Sequence, residues 1–375
     1  MSTSPVASAA QDARWMALAI QLAARGRYST SPNPQVGCVI VKEDRLLAEG
    51  WHIRAGEGHA EVNALAACAD ATGATVYVSL EPCSHHGKTP PCAAALIKAG
   101  VARVVVAMQD PNPLVAGRGI SLLKDAGIAV DVGAQRSEAE ALNPGFIKRM
   151  QSGLPRVRAK LAMSLDGRTA MASGASQWIT GAAARADVQR LRASSCAIVS
   201  GVETVITDDA ALTVRSPEAV IDGECRQPLR VIVDSRLRTS PEAKLFQSGG
   251  PVLMVCAENN VGRRVALEAA GAEVLLLAAN DGRVDLAALL QELGRRECNE
   301  VMVEAGATLT GTLLQQGLLD GMTVYMAPTL LGSSARPLLS LPLDAMNEQR
   351  RLVIENMRAV GEDWRMDIAI ERAFG

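Results

Sequence analysis

Aromatic residues are scarce in this chain: four Trp, three Tyr and three Phe make up 3% of its 375 residues. So little ring surface is poor material for the base-stacking platforms of single-stranded nucleic-acid binders. An excess of one charge is missing too. The formal net charge is −2, which offers no basic surface for a polyanion, so no nucleic-acid partner is expected. A small phosphorylated ligand remains compatible with that balance. No apolar run approaches the roughly 18 residues of a membrane span, so no membrane partner is expected. Met1 to Ala10 shows no basic region followed by an apolar run, so no signal peptide is expected. The eight cysteines (Cys38, Cys68, Cys83, Cys92, Cys196, Cys225, Cys256 and Cys298) are dispersed, unlike a disulfide framework in a short secreted domain. Together these features predict a cytoplasmic protein.

What is present is ordinary for a globular chain: 48% hydrophobic and 21% charged residues, with length enough for two domains. Against that background one constellation stands out: His59-Ala60-Glu61, Pro82-Cys83 and Cys92. One His and two Cys supply three zinc ligands and leave a fourth position for water. Zinc lowers the pKa of bound water to roughly 7. Glu61, two residues after the His, sits beside such a metal without ligating it. It can take the water's proton and pass it to a leaving amine. That is the logic of hydrolytic deamination, in which hydroxide attacks an amidine-like ring carbon and ammonia leaves. The plain alternatives are a closed structural zinc or no metal at all. Cys92 follows Pro90-Pro91 and opens a helix, and His59 opens an apolar helical run from Ala60 to Ala71. Two helix starts aimed at thiolates favour the catalytic reading.

The surroundings read as α/β. A helix over Asp12 to Arg25 precedes strands Cys38 to Val41 and Leu46 to Gly50. Strand Thr75 to Leu80 delivers Glu81-Pro82-Cys83 at its C-terminal end, and Arg103 to Ala107 is another buried-type strand. Strands alternating with helices place ligands at the C-terminal ends of strands. All four His (His52, His59, His85 and His86) fall in this first part. Turn residues at Asn143-Pro144-Gly145 and Ser152 to Pro155 bracket a basic connector. The domain boundary is placed there, giving domains 1–150 and 151–375.

The second part restarts with strand Arg156 to Met163 and continues as a second α/β unit. Its end, Leu352 to Met357 and Trp364 to Ile370, alternates apolar and polar about a turn, which predicts an antiparallel hairpin and a mixed sheet. Val301 to Gly311 reads as strand, Gly-bounded loop, helix. A phosphate site and a plain tight turn fit it about equally. Charged and polar residues near strand ends include Lys160, Asp208 and Arg215; a solvated rim is the plain reading of these.

Longer motifs resemble the bifunctional riboflavin-biosynthesis deaminase–reductase family over nearly the whole chain. In the first part they are Pro32 to Gly37, His59-Ala60-Glu61 and Glu81 to Cys92, whose eight-residue gap between Cys83 and Cys92 replaces the two-residue gap of nucleic-acid and nucleoside deaminases. In the second part they are Lys160 to Arg168, Gly174 to Thr180, Gly201 to Asp209, Leu212 to Arg215 and Glu304 to Gly311.

The resemblance implies a cytidine-deaminase-like three-layer α/β/α domain followed by a dihydrofolate-reductase-like α/β domain with a mixed sheet. The first would hydrolyse the 2-amino group of 2,5-diamino-6-(ribosylamino)-4(3H)-pyrimidinone 5′-phosphate. The second would reduce the ribosyl group of 5-amino-6-(5-phosphoribosylamino)uracil to ribityl with NADPH. Carried over by motif, His59, Cys83 and Cys92 would hold Zn2+ and Glu61 would shuttle the proton. Asn33 and His52 would contact the pyrimidine, and Lys88 the substrate phosphate with Asn112 nearby. Ala162, Trp178, Thr204, Asp208, Ser235, Gly306, Ala307, Thr308, Leu309, Thr310, Gly311 and Thr312 would line the NADPH site. Ser176, Arg192, Leu212, Arg215 and Glu304 would contact the second substrate, with Lys160 close by; Lys160, Asp208 and Glu304 are candidates for its proton donor. Small phosphorylated pyrimidines are thus the expected partners, with a homo-oligomer as the expected assembly. The rival is a nucleoside or nucleic-acid zinc deaminase whose second domain is not catalytic. Net charge, few aromatics and the long cysteine gap weigh against it.

Overall fold

Five short strands, four of them at least half β-branched, build the sheet of the first of two units, residues 1–153; the second unit is 154–375. The computed structural model describes residues 8–84, 91–113 and 115–371. In the first unit, helix α1 (Ala9–Ala23) opens with a capping box in which Ser8 and Gln11 satisfy each other's backbone N–H groups. The strands are β1 (Gly37–Lys42), β2 (Arg45–Trp51), β3 (Thr75–Val78), β4 (Arg103–Val106) and β5 (Ala129–Val132). Between and after them run α2 (Ala60–Ala66), α3 (Cys92–Lys98), α4 (Arg118–Asp125), α5 (Arg136–Leu142) and α6 (Pro144–Ser152). The sheet order is β2-β1-β3-β4-β5, with β1 antiparallel to both neighbours and β3, β4 and β5 parallel.

Two glycines show how closely helices cover this sheet. A Cβ on Gly37 would lie 2.0 Å from the Ala19 carbonyl oxygen of α1, and one on Gly50 2.4 Å from the Ala64 nitrogen of α2. Gly50 pairs with Cys38, the neighbour of Gly37, so the two glycines point to opposite faces. Helices therefore cover both faces, as in the three-layer arrangement expected. Asp12 of α1 ties down the layer: it takes two hydrogen bonds of 2.8 Å from Arg103 of β4 and one of 2.9 Å from the Tyr77 hydroxyl of β3. The helix after His59 is shorter than its apolar run suggested, ending at Ala66 rather than Ala71. There the Asp70 carboxylate accepts the Thr72 N–H at 2.9 Å and turns the chain toward β3.

In the second unit the main strands are β6 (Arg156–Ser164), β8 (Ala197–Gly201), β11 (Leu229–Val233), β12 (Val252–Cys256), β13 (Ala272–Leu276), β14 (Glu300–Val303), β15 (Gly321–Ala327), β17 (Leu352–Val360) and β18 (Asp363–Ile370). Small antiparallel pairs join β7 (Arg168–Ala170) to β16 (Arg336–Pro337) and β9 (Val220–Ile221) to β10 (Glu224–Cys225). The helices are α7 (Ala182–Ser194), α8 (Val202–Asp208), α9 (Lys244–Gln247), α10 (Val261–Ala269), α11 (Leu286–Arg295) and α12 (Ala307–Gln315). The nine-stranded order is β13-β12-β11-β8-β14-β6-β15-β18-β17; the first seven run parallel and the final hairpin antiparallel, so the sheet is mixed as expected. Alternation along the strands sorts two cores. Val199, Val231 and Val255 pack on one face with Leu289, Leu293 and Leu313; Ile198, Ile232 and Met254 pack on the other with Val205, Leu245 and Leu267. Among the described residues no helix is long and apolar enough to cross a membrane.

Candidate functional site

In the first unit the three proposed metal ligands converge from separate elements. His59 is the residue before α2, Cys83 lies beyond the C-terminal end of β3, and Cys92 is the first residue of α3. His59 Nδ1 stands 3.3 Å from Cys92 Sγ and 3.6 Å from Cys83 Sγ, and all three ligand atoms lie within 4.8 Å of one another. One imidazole nitrogen and two sulfurs suit zinc. The backbone N–H of Cys92 points at Cys83 Sγ, 3.3 Å away. That neighbourhood, with Cys92 donating and His59 beside it, brings the Cys83 thiol down to about 4, while the Cys83 thiolate and burial push Cys92 up. Glu61, in the first turn of α2, is 3% exposed. Burial, with the Cys83 charge adding to it, raises its carboxyl to about 7 from the protein groups alone.

The buried His52 adjoins this set, its ring edge-on to His59 with centroids 5.3 Å apart. Its Nδ1 lies 3.0 Å from the Gly58 carbonyl oxygen and its Nε2 3.0 Å from Asn33 Nδ2. Burial lowers its pKa, which favours the neutral ring. Asn112 sits in the loop after β4, with its N–H on Asp110 Oδ1 at 2.8 Å. Lys88, like His85 and His86, lies outside the described residues.

One more acidic residue of the first unit has a structural role. Glu81 is 5% exposed and accepts four backbone N–H groups: Asp110 at 3.1 Å, Gly117 at 2.9 Å, Gly119 at 2.9 Å and Ile120 at 3.2 Å. It thus holds the loop bearing Asn112 to the turn bearing Cys83. Its place directly before Pro82-Cys83 was the signal in the sequence.

In the second unit a cleft of about 1970 Å³ opens at the C-terminal ends of the parallel strands. Lys160 and Ala162 of β6, Ser176, Trp178, Arg192, Thr204, Asp208, Leu212, Arg215, Ser235 and Glu304 all line it. So do Gly306, Ala307, Thr308, Leu309 and Thr312 at the start of α12. Thr310 and Gly311 do not. Thr310 is fully buried, and a Cβ on Gly311 would lie 2.1 Å from the Ser340 carbonyl oxygen. On the cleft wall Arg192 grips Glu304 through Nε at 2.9 Å and a terminal nitrogen at 2.8 Å, and Lys160 Nζ lies 3.7 Å from the same carboxylate. Burial would raise the Glu304 carboxyl, but the charges of Arg192 and Lys160 outweigh it and hold it at about 2. Trp178 is 70% exposed at the rim, with the Arg185 guanidinium 4.6 Å from its ring centroid. Arg185 and Arg336 also line the cleft and belong to no motif singled out in the sequence.

The family model of the cytidine and deoxycytidylate deaminase zinc-binding region matches residues 9–108, and that of the RibD C-terminal domain matches residues 155–366. The riboflavin biosynthesis protein RibD of Escherichia coli (strain K12) is 51% identical over 362 residues, covering 94% of this chain and 98% of its own. Its Haemophilus influenzae counterpart is 47% identical over 362 residues, covering 94% and 96%. Among solved structures, Acinetobacter baumannii RibD superposes with a TM-score of 0.91 at 48% identity, covering 97% of this chain and 100% of that one. A Thermotoga maritima diaminohydroxyphosphoribosylaminopyrimidine deaminase/5-amino-6-(5-phosphoribosylamino)uracil reductase gives 0.85 at 29% identity, covering 96% and 99%.

Proposed function

This chain belongs to the RibD family of bifunctional deaminase–reductases of riboflavin biosynthesis, and from that premise we propose how its two sites divide the work. Residues 1–150 deaminate 2,5-diamino-6-(ribosylamino)-4(3H)-pyrimidinone 5′-phosphate, and residues 151–375 reduce the ribosyl group of the product to ribityl with NADPH. The observation that carries the first half is a buried glutamate two residues beyond a His that meets two cysteines. His59, Cys83 and Cys92 would hold the zinc, which would supply a water acidic enough to act as nucleophile near neutral pH. Glu61 would take the proton of the attacking water and return it to the departing nitrogen, so that a C–O bond forms, the C–N bond breaks and ammonia leaves.

In the second unit hydride transfer is the cofactor's chemistry, and the protein supplies orientation and charge. Ala162, Trp178, Thr204, Asp208, Ser235 and the cleft-facing side of α12 from Gly306 to Thr312 hold NADPH. Ser176, Leu212, Arg215, Arg192 and Glu304 hold the substrate, and Arg215 suits its phosphate. Glu304, gripped by Arg192 and close to Lys160, anchors by charge, and Lys160, Asp208 and Glu304 are the candidates for the proton donor. Lys88 and Asn112 serve the phosphate of the first substrate.

A cytoplasmic homo-oligomer acting on small phosphorylated pyrimidines, without nucleic acid, completes the proposal. Strand β17 supports the oligomer: it is an edge strand that exposes Leu352, Val353, Ile354 and Met357. The rival of a nucleoside or nucleic-acid deaminase gives no role to a second half that matches the RibD C-terminal domain over 155–366. The test follows both products in one reaction. Wild-type chain given the diaminopyrimidinone and NADPH should release one ammonia per NADPH oxidised. Deamination of cytidine, with no turnover of the diaminopyrimidinone, would overturn the proposal.

A further inference from the structure

Trp178 stands at the rim of the second unit's cleft, in a segment with little anchorage of its own. Among the described residues Ser176, Gln177, Trp178 and Ile179 make no hydrogen bond, through backbone or side chain. The next two residues are held firmly. The Thr180 carbonyl oxygen accepts Arg185 Nη1 at 2.6 Å, and the Gly181 N–H donates to Asp363 Oδ2 at 2.7 Å. Asp363 is buried and begins β18, so Gly181 is tied to the sheet. The Arg185 guanidinium also covers one face of the Trp178 indole, 4.6 Å from the ring centroid. No carboxylate pairs with Arg185 among the described residues. Arg185 lies in the first turn of α7, at the positive end of the helix, where a cation is disfavoured. What it reaches, and not the helix it sits on, explains its place.

We infer that Arg185 is a positioning residue, which pins the Trp178 indole and so holds the segment from Ser176 to Ile179 in the shape that receives NADPH. This rests on the reductase reading of the second unit. One guanidinium makes both contacts: Nη1 fixes the carbonyl two residues beyond the indole, and its flat face backs the ring. With the indole 70% exposed, its other face stays open to the cofactor. Without Arg185 no polar contact holds the chain between Ala175, whose carbonyl oxygen takes the Met171 N–H at 2.8 Å, and Gly181. The cofactor must then order the segment as it binds, which weakens binding and leaves the hydride step unaltered.

The test reads NADPH oxidation by the full-length, zinc-loaded chain given the deaminated intermediate. Wild type is measured first; if it oxidises no NADPH, the reading of the unit itself fails. Arg185→Ala is expected to raise KM for NADPH by about fivefold, the worth of one cation–π contact, with a much smaller change in kcat. Trp178→Ala is expected to raise it by about tenfold. The double variant is expected to match Trp178→Ala alone, because Arg185 acts through the indole. Effects that multiply would show that Arg185 touches the cofactor itself and would overturn the inference, as would an unchanged KM in Arg185→Ala. Indole emission gives a readout independent of turnover. The Trp178 contribution, taken as the difference from the same protein carrying Trp178→Phe, should become more open to acrylamide quenching in Arg185→Ala. Equal quenching would mean that the guanidinium does not hold the ring. Urea unfolding is recorded for every variant. If Arg185→Ala proves unstable, Arg185→Met takes its place, since it keeps the aliphatic stem and the helix propensity. A raised KM there supports the clamp, and a wild-type KM refutes it.

Discussion

Arg192 and Glu304 meet through two hydrogen bonds, of 2.9 and 2.8 Å, on the wall of the second unit's cleft. The side chains are 12% and 16% exposed. One comes from α7 and the other from the residue after β14, so the pair also holds helix to sheet at the point where substrate is proposed to bind. Removing one member of a buried, hydrogen-bonded charge pair costs about 2 kcal/mol or more, and 2 kcal/mol is roughly thirtyfold in a rate or binding constant. Glu304→Ala should therefore lower kcat/KM for NADPH oxidation by at least about thirtyfold while ammonia release from the first substrate stays at the wild-type rate. Loss of both activities together would instead indicate a general folding defect.

Acid stability of the second unit should depend on Asp187. This residue is fully buried and receives the Tyr325 hydroxyl at 2.6 Å, Arg365 at 2.8 Å and Arg190 at 2.9 Å. Burial alone would raise its carboxyl, but those hydrogen bonds and the Arg365 charge bring it from 3.8 down to about 2. A folded pKa below the unfolded one means stability that is fully present above pH 3.8 and is lost as pH falls toward 2. Asp187→Asn should cost about 2 kcal/mol at pH 7, and the gap to wild type should close between pH 4 and pH 2. Urea unfolding at a series of pH values measures this; a gap that is the same at every pH would contradict it.

Glu81 should prove as necessary to the first unit as the metal ligands beside it. Glu81→Gln puts an N–H₂ group against two of the four backbone donors it now satisfies, and each orphaned donor costs about 1–3 kcal/mol. Amide hydrogen exchange at Asp110, Gly117, Gly119 and Ile120 should rise at least about tenfold. Exchange in β11 and β12 of the second unit should not change. Unaltered protection of the 110–120 loop would mean that Glu81 does not hold it.

Local signals made the zinc site legible in the sequence, because ligand identity and spacing are carried by three short segments. The strand–helix alternation was legible for the same reason: apolar runs such as Val104–Val106 and Val252–Cys256 are fully buried. What stayed hidden depends on three-dimensional orientation. Helix α5, Arg-Ser-Glu-Ala-Glu-Ala-Leu, carries too few apolar residues to show a stripe. The Gly306–Thr312 stretch begins a helix, as its sequence suggests, and which of its side chains meet the cleft depends on the helix's orientation. Thr308 and Thr312, four residues apart, face the cleft, while Thr310 and Gly311 face the interior. The hydrogen bonding of His52 and the loop-holding carboxylate of Glu81 depend on partners distant in sequence, Asn33 and Gly119 among them.

The most direct measurement of the central proposal separates the two chemistries with one substitution. Glu61→Gln keeps the shape of the proton carrier and removes its ability to carry a proton. The zinc-loaded variant is given the diaminopyrimidinone with NADPH, and in a second cuvette the deaminated intermediate with NADPH. The expected result is a fall in ammonia release of at least about a hundredfold, almost no NADPH oxidation in the first cuvette, and wild-type NADPH oxidation in the second. Ammonia release close to wild type would remove Glu61 from the reaction. Failure to oxidise NADPH with the intermediate supplied, in wild type as well, would mean that the second unit is not the working reductase.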